Sequence, residues 1–542
     1  MATPTPPPSE APVTRRRLWK IVAAVVAVAV VVAAVAVYLT LPKAGPKVVT
    51  YAVTSEMVTL DPSTEFSNSI LVLSNVYEAL SLFDPVTQQP KPWLATSWSS
   101  TDGGLTWTFN LRQGVKFHDG TPFTAEAVKF SISRTWRMAQ GAYFIWFPIN
   151  WSHAQPIEVV SDYVVRFHLG YPAPIDWIAS ADYGAWIFSP NTPGATDAGM
   201  ATWFNDQHHD SGSGPYAIDA TQYTNRRVVL NRFPDYWGAW RIGQFDNAVI
   251  TVIADPAQRE AAVRDGDVDV TIDVPVADLP TLRNNPRVRV DVTPGYRTIY
   301  AFFNNVRAPT NDVLVRQALA YAIPYDDFLS GVAGNLGTQP VGIVPAGMWG
   351  HDGTLPKYSF DPAHAEQLLL QSGVARPFTL TLTYTLGDPF ERGFAELYKE
   401  KLATLGITLN IQSLVWEQQW GLAKGLPENA QDIFVMYWWP TYVTPYDFLW
   451  NMFHTGSYQV FNLGYYQNPA FDSTIDQAST LEASDRNQAL AMYREAQIML
   501  YNDVPGIGLV DLQNLYLSKS NLVGLQDNAA YPLVVFFYQL SR

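Results

Sequence analysis

The 542 residues include no cysteine. That absence excludes disulfides, cysteine-held metals, a thiol nucleophile and a lipid-modified N-terminal cysteine. Histidine is scarce as well, with 8 in the chain, too few to suggest nickel or haem ligation. Only 15% of residues are charged, and positive charge is the rarer sign. Residues 1–47 hold six basic residues against the single acid Glu10, which leaves 29 basic and 48 acidic residues beyond them, a balance of −19. Such a body repels nucleic acid. No G-x-S-x-G or H-E-x-x-H motif occurs, and Gly212-x-Gly214 lacks the following helix pattern that a phosphate cradle requires. His208-His209-Asp210 falls in a Gly/Ser/Asp-rich stretch and reads as a solvated loop, and His118-Asp119-Gly120 reads as a hairpin turn. No metal or cofactor site is expected.

What is present is apolar and aromatic: 48% hydrophobic residues, with 18 Trp, 28 Tyr and 27 Phe. The length calls for two or three domains. Residues 1–20 form a Pro-rich tail expected to be disordered, ending in the basic flank Arg15-Arg16-Arg17 and Lys20. Ile21 to Leu41 is a run of Ala and Val without charge, expected to be a transmembrane anchor with its N-terminus in the cytoplasm. The rival reading is a signal segment cleaved after Ala34-Val35-Ala36. Residues 42–47 are a tether, and the body lies on the extracytoplasmic face in either case.

Beyond the tether, strands and helices mix without a repeat, which predicts an α/β body. Strands are expected at 163–170, 228–231, 248–253, 268–272, 288–293, 298–304, 378–384, 408–413 and 432–437. Helices are expected around Val315–Ala322, from Asp361-Pro362 to Gly373, and after a cap at Ser484. The most informative stretch is Leu105 to Arg134. Leu105, Trp107, Phe109 and Leu111 alternate with polar residues as in a half-buried strand. Val115–Phe117 adds a short second strand before the Asp119-Gly120 turn, and Thr124 caps a helix with Val128, Ile132 and Trp136 on one face.

The wording of that stretch, LRQGVKFHDGTPFTAEAVKFSISR, closely resembles the signature segment of the family 5 extracellular solute-binding proteins, receptors of peptide, nickel and some oligosaccharide ABC importers. Thr59-Leu60-Asp61-Pro62, Gly212-Ser213-Gly214-Pro215-Tyr216, Phe233-Pro234-Asp235-Tyr236-Trp237-Gly238 and Asn468-Pro469-Ala470-Phe471-Asp472 extend the likeness over roughly residues 48–540. The resemblance implies a periplasmic-binding-protein-like, two-lobed fold with an additional domain and a two-strand hinge. Lobe I would take 48–85, 212–298 and 508–542, the additional domain II 86–211, and lobe III 299–507. Tyr300, Asn304 and Asn305 would lie in the hinge. The implied function is a non-catalytic, monomeric receptor that binds an oligopeptide or similar solute and delivers it to an ABC permease with its ATPase subunits. An oligosaccharide ligand is the alternative, and a glycosidase or peptidase using Glu417 and Asp447 is the alternative of another class.

In oligopeptide-binding members, the loop matching Tyr437 to Asp447 supplies a carboxylate to the peptide's ammonium group, and that position falls on Thr441 here. A hydroxyl cannot offset a buried charge. With a small shift of register Asp447 would serve instead. Nickel-binding members carry a His where this chain has Tyr446. The expected ligand-binding residues are therefore Trp416, Trp438, Trp439, Thr441, Tyr442, Tyr446 and Asp447, an aromatic platform with one acid.

Overall fold

The structure is a computed structural model that describes residues 1–6, 19–20, 22–30, 45–457 and 460–542. Met1–Pro46 and Lys47–Arg542 form separate compact units. In the first unit, residues 19–20 and 22–30 are helical; Ile21 and residues 31–41 of the expected span lie outside the described residues, as do 7–18 of the expected tail. Among the described residues no helix is long and apolar enough to cross a membrane. The expected anchor, the cytoplasmic N-terminus and attachment to the membrane through this segment are therefore withdrawn.

The second unit is built on an 11-stranded mixed sheet. Its centre is a pair of long antiparallel strands, Val288–Phe303 and Gly506–Lys519. Pairing between them is interrupted between Thr293 and Arg297. On one side of the interruption, 288–293 pairs with 514–519, and the sheet continues through Val270–Ile272, Val48–Val53, Asn247–Val252, Arg227–Arg232 and Tyr216–Ile218. On the other, 297–303 is flanked by Ile433–Trp438, Phe378–Thr385 and Ile407–Leu414. The two halves of the sheet are the two lobes, and two strands pass between them.

The additional domain has its own antiparallel sheet, in the order Ala95–Ser100, Thr106–Leu111, Val164–His168, Ile157–Ser161. The helix Ala125–Met138 covers it, with Val128 and Ile132 buried in the core shared with Phe109, Val165 and Phe167. Each such side chain contributes about 1.5–3 kcal/mol through burial. Arg134 from this helix reaches Asp61 of the first lobe, and both carboxylate oxygens accept guanidinium N–H groups at 2.6 Å with both side chains fully buried. The signature segment thus ties domain to lobe.

Three local expectations change. Val115–Phe117 forms no strand; Lys116 makes only an isolated bridge to Pro122, because the chain turns back at Gly120. The helix expected after Ser484 starts one residue later, with Asp485 Oδ1 accepting from Gln488 N at 3.1 Å. His208-His209-Asp210 is also less solvated than expected, since the Asp210 carboxylate is buried against His118, whose Nε2 lies 2.9 Å from Gly214 O. Among the described residues no cluster suited to a metal ion occurs.

Candidate functional site

A cavity of about 190 Å³ opens where the lobes meet. The first lobe supplies its strand-end loops, Val53 to Ser55 and Phe66 to Asn68, and Asp273 just past Val270–Ile272. The second supplies Trp416, Asp388, Glu391 and the end of Ile433–Trp438 with the loop after it. Tyr183 of the additional domain closes one side. Arg297 stands where the crossing strand resumes pairing.

One wall is aromatic. Trp438 meets Phe461 edge-on at 5.0 Å, Phe461 stacks on Trp420 at 5.4 Å, and Trp420 stacks on Trp416 at 5.8 Å. Phe66 comes across from the first lobe to within 5.0 Å of Phe461 and 6.3 Å of Trp438. Flat apolar faces with a few placed polar groups are the usual lining of a solute site.

The opposite end is charged. Asp273 sits at φ 46, in the left-handed region that L-residues seldom occupy, and this turns its carboxylate onto Arg297. Both Asp273 oxygens accept from the guanidinium, at 2.9 and 3.0 Å. Burial pulls the Arg297 pKa down, but the paired carboxylate more than reverses this and keeps the guanidinium charged. Asp388 caps the helix Pro389–Thr404; its Oδ1 accepts from Phe390 N and Glu391 N, and its Oδ2 from the Tyr437 hydroxyl at 2.8 Å. Burial nevertheless pushes its carboxyl up to about 6. Glu391, wholly buried, accepts from Thr385 N at 2.6 Å through Oε2, while Oε1 has no partner. Burial first and the charge of Asp388 second hold its carboxyl well above the usual range.

Of the expected ligand residues, Trp416, Trp438, Trp439 and Thr441 line the cavity. Tyr442, Tyr446 and Asp447 are not among its lining residues. The reason is the helix Pro445–Phe453, capped by Thr444, whose hydroxyl accepts from Tyr446 N at 3.2 Å and which turns the chain away from the cavity. Asp447 is buried under the loop, accepting from Thr441 N at 3.0 Å and Trp438 Nε1 at 3.2 Å, and burial pushes it up to about 7. Glu417 is exposed at the start of Trp416–Ala423, so these two acids do not form a pair across a scissile bond. Tyr300 donates its hydroxyl to Ile343 O, Asn304 donates to Pro427 O, and Asn305 to Gly464 O. Those three side chains fasten the second-lobe end of the crossing strand, beyond the interruption at 293–297. Sequence reasoning missed Phe66, Asp273, Arg297, Asp388, Glu391 and Phe461.

The model of the bacterial extracellular solute-binding proteins, family 5, matches residues 89–459, well over half of the chain. A curated relative, the probable D,D-dipeptide-binding periplasmic protein of Escherichia coli, is 30% identical over 412 residues, which is 76% of this chain and 77% of the relative. The chain belongs to this family. The receptor is therefore a solute-binding component of an ABC importer and not an enzyme. It is also 27% identical over 521 residues to the glutathione-binding protein of Pectobacterium atrosepticum, covering 94% of this chain and 96% of that one. Its fold matches the Helicobacter pylori DppA periplasmic binding protein in complex with the peptide STSA, with a TM-score of 0.80 at 24% identity, over 91% of this chain and 98% of that one. The fold likewise matches NikZ from Campylobacter jejuni in complex with Ni(L-His), with a TM-score of 0.80 at 20% identity, over 91% and 99% of the two chains.

Proposed function

We propose that this receptor captures short peptides outside the cytoplasm, in the cavity between its lobes, and delivers them to an ABC permease and its ATPase subunits. The observation that carries the reading is the cavity itself, with Trp416, Trp438 and Phe461 on one wall and Arg297, Asp388 and Glu391 at the other end. A peptide needs both: apolar faces for side chains and matched polar groups for the termini it buries. The names of the relatives support the same class, since they are described as binding a D,D-dipeptide and glutathione. The oligosaccharide alternative has no support from them and is set aside.

On this reading lobe I takes 48–85, 212–298 and 508–542, domain II 86–211 and lobe III 299–507. Opening would pivot on the two crossing strands where their pairing breaks, between Thr293 and Arg297. A hinge there places Arg297 in both the pivot and the cavity, which links occupancy to closure. Thermal unfolding of the full chain against panels of di- and tripeptides tests the proposal. Peptide at about 100 times its dissociation constant is expected to add about 2.7 kcal/mol of stability. A melting curve that no peptide moves, or that only sugars move, would overturn it.

A further inference from the structure

Two residues that line the cavity each carry a buried side-chain atom without a hydrogen-bond partner: Glu391 through Oε1 and Arg297 through Nε. Every other carboxylate oxygen at that end is already engaged. Asp273 gives both oxygens to Arg297, and Asp388 gives its two to Phe390 N, Glu391 N and the Tyr437 hydroxyl. Arg259 lies behind the cluster, but its N–H groups go to the carbonyls of Ile253, Ala254, Ile272 and Asp273. The spare acceptor is therefore on Glu391. Three carboxylates and one guanidinium line this end of the cavity, so the group that best answers Glu391 Oε1 is a donor carrying positive charge. The loop position where oligopeptide-binding members would place an acid is Thr441, so the loop itself offers no charge there.

We propose that Glu391, backed by Asp388, is the site for the cationic nitrogen of the ligand, an ammonium group such as a peptide's free N-terminus. The aromatic wall holds the apolar remainder. This rests on the reading of the cavity as the ligand site and adds the group that selects the ligand's charge.

The surroundings give a thermodynamic signature. The ionisable groups facing Glu391 are Asp388, which caps its helix, and Tyr437 on a neighbouring strand; Arg297 and Asp273 in turn face Asp388. Burial favours a proton on Glu391 when the cavity holds no cation. An incoming ammonium displaces that proton, so binding releases a proton to solvent and strengthens as pH rises, until the amine itself loses its charge.

The test titrates the full chain with unmodified di- and tripeptides, with the same peptides N-acetylated, and with n-butylammonium as the bare amine. Wild type is expected to prefer the free amine by about thirty-fold, the worth of a hydrogen bond to a charged group. Glu391→Gln keeps the shape and removes the charge. It is expected to reduce that preference to about three-fold or less, with acetylated peptides bound as before. Calorimetry in two buffers of different ionisation enthalpy is expected to show proton release by wild type and none by Glu391→Gln. A variant that keeps the full preference, or a wild type that binds acetylated peptides equally well, overturns the proposal. If no peptide of either kind binds, the peptide reading falls, and n-butylammonium then decides the cation site. Its binding to wild type but not to Glu391→Gln sustains the site, and its failure to bind wild type overturns it.

Discussion

Arg134 with Asp61, and Glu391 with its neighbours, are two ways of burying charge in one molecule. In the first, each carboxylate oxygen meets one guanidinium nitrogen at 2.6 Å, and Asp61 Oδ1 also accepts from Ser63 N at 2.9 Å. Arg134 Nε is left without a hydrogen bond, 3.6 Å from Asp197 Oδ1, but neither Arg134 nor Asp61 lines the cavity between the lobes. In the second, one oxygen is held by a backbone amide and the other, buried on a residue that lines the cavity, has no partner. A buried charge answered from within serves the fold; one left half-answered beside a cavity is answered from outside. The family signature contains the first kind, which is why it identifies the receptor without describing the ligand.

The largest expected effect comes from breaking the answered pair. Arg134→Met or Asp61→Asn leaves one group buried without its partner and is expected to cost about 3–5 kcal/mol. Urea unfolding of the full chain measures it, and peptide should not restore the loss. A cost below about 1 kcal/mol would mean that the pair is no more structural than an exposed ion pair, and the contrast with Glu391 would collapse.

A smaller effect sharpens the comparison through pH. Burial pushes Glu78, Asp447 and Glu482 up to about 7 and Glu65 up to about 8. All four are held chiefly by neutral donors; Glu65, for example, accepts from Ser67 N and Ser69 N, and Glu78 from Trp93, Tyr236 and Trp237. Their folded values lie above their unfolded ones, so the stability they contribute as protonated groups is complete below about pH 4 and is lost as pH climbs through 7 and 8. The urea midpoint of wild type is expected to fall between pH 6 and pH 9, by a free energy on the order of a few kcal/mol. Glu65→Gln should flatten the upper part of that decline. A midpoint that rises over this range would show that these acids are ionised in the fold.

Legibility in the sequence followed the same division. Alternation at Leu105 to Leu111, the Asp361-Pro362 cap and the hydrophobic strands are local signals, and the structure has Thr106–Leu111, Pro362–Ser372 and Phe378–Thr385 where they point. Trp416, Trp438, Trp439 and Thr441 reach the cavity because they cluster at element ends. Tyr442, Tyr446 and Asp447 do not, although Thr444-Pro445 is itself a helix-start signal that turns the chain away there. The charged end was harder to see. Asp388-Pro389-Phe390-Glu391 reads as an ordinary capping pattern, in which the third-position acid would bond back to the cap. Instead, Glu391 accepts from Thr385 N and leaves its other oxygen without a partner, and its companions Asp273 and Arg297 come from more than 90 residues upstream. No local pattern announces a site assembled from such distant segments.

The smallest expected change in stability, and the sharpest use of the contrast, belongs to Glu391→Gln without ligand. Burial favours the protonated, neutral form of the wild-type side chain, and an amide of nearly the same shape replaces that form at a cost within about 1 kcal/mol. As pH rises, the wild type loses the stability tied to that proton, because the folded value lies above the unfolded one. Glutamine does not titrate, so the variant is expected to match or exceed wild type in urea midpoint by pH 9 while binding free-amine peptides more weakly. Stability and binding then move in opposite directions, as expected of a residue whose burial costs the fold and serves the ligand. A loss of stability on the scale of Arg134→Met at every pH would place Glu391 with the structural charges instead, because the unanswered oxygen would then have a partner within the fold.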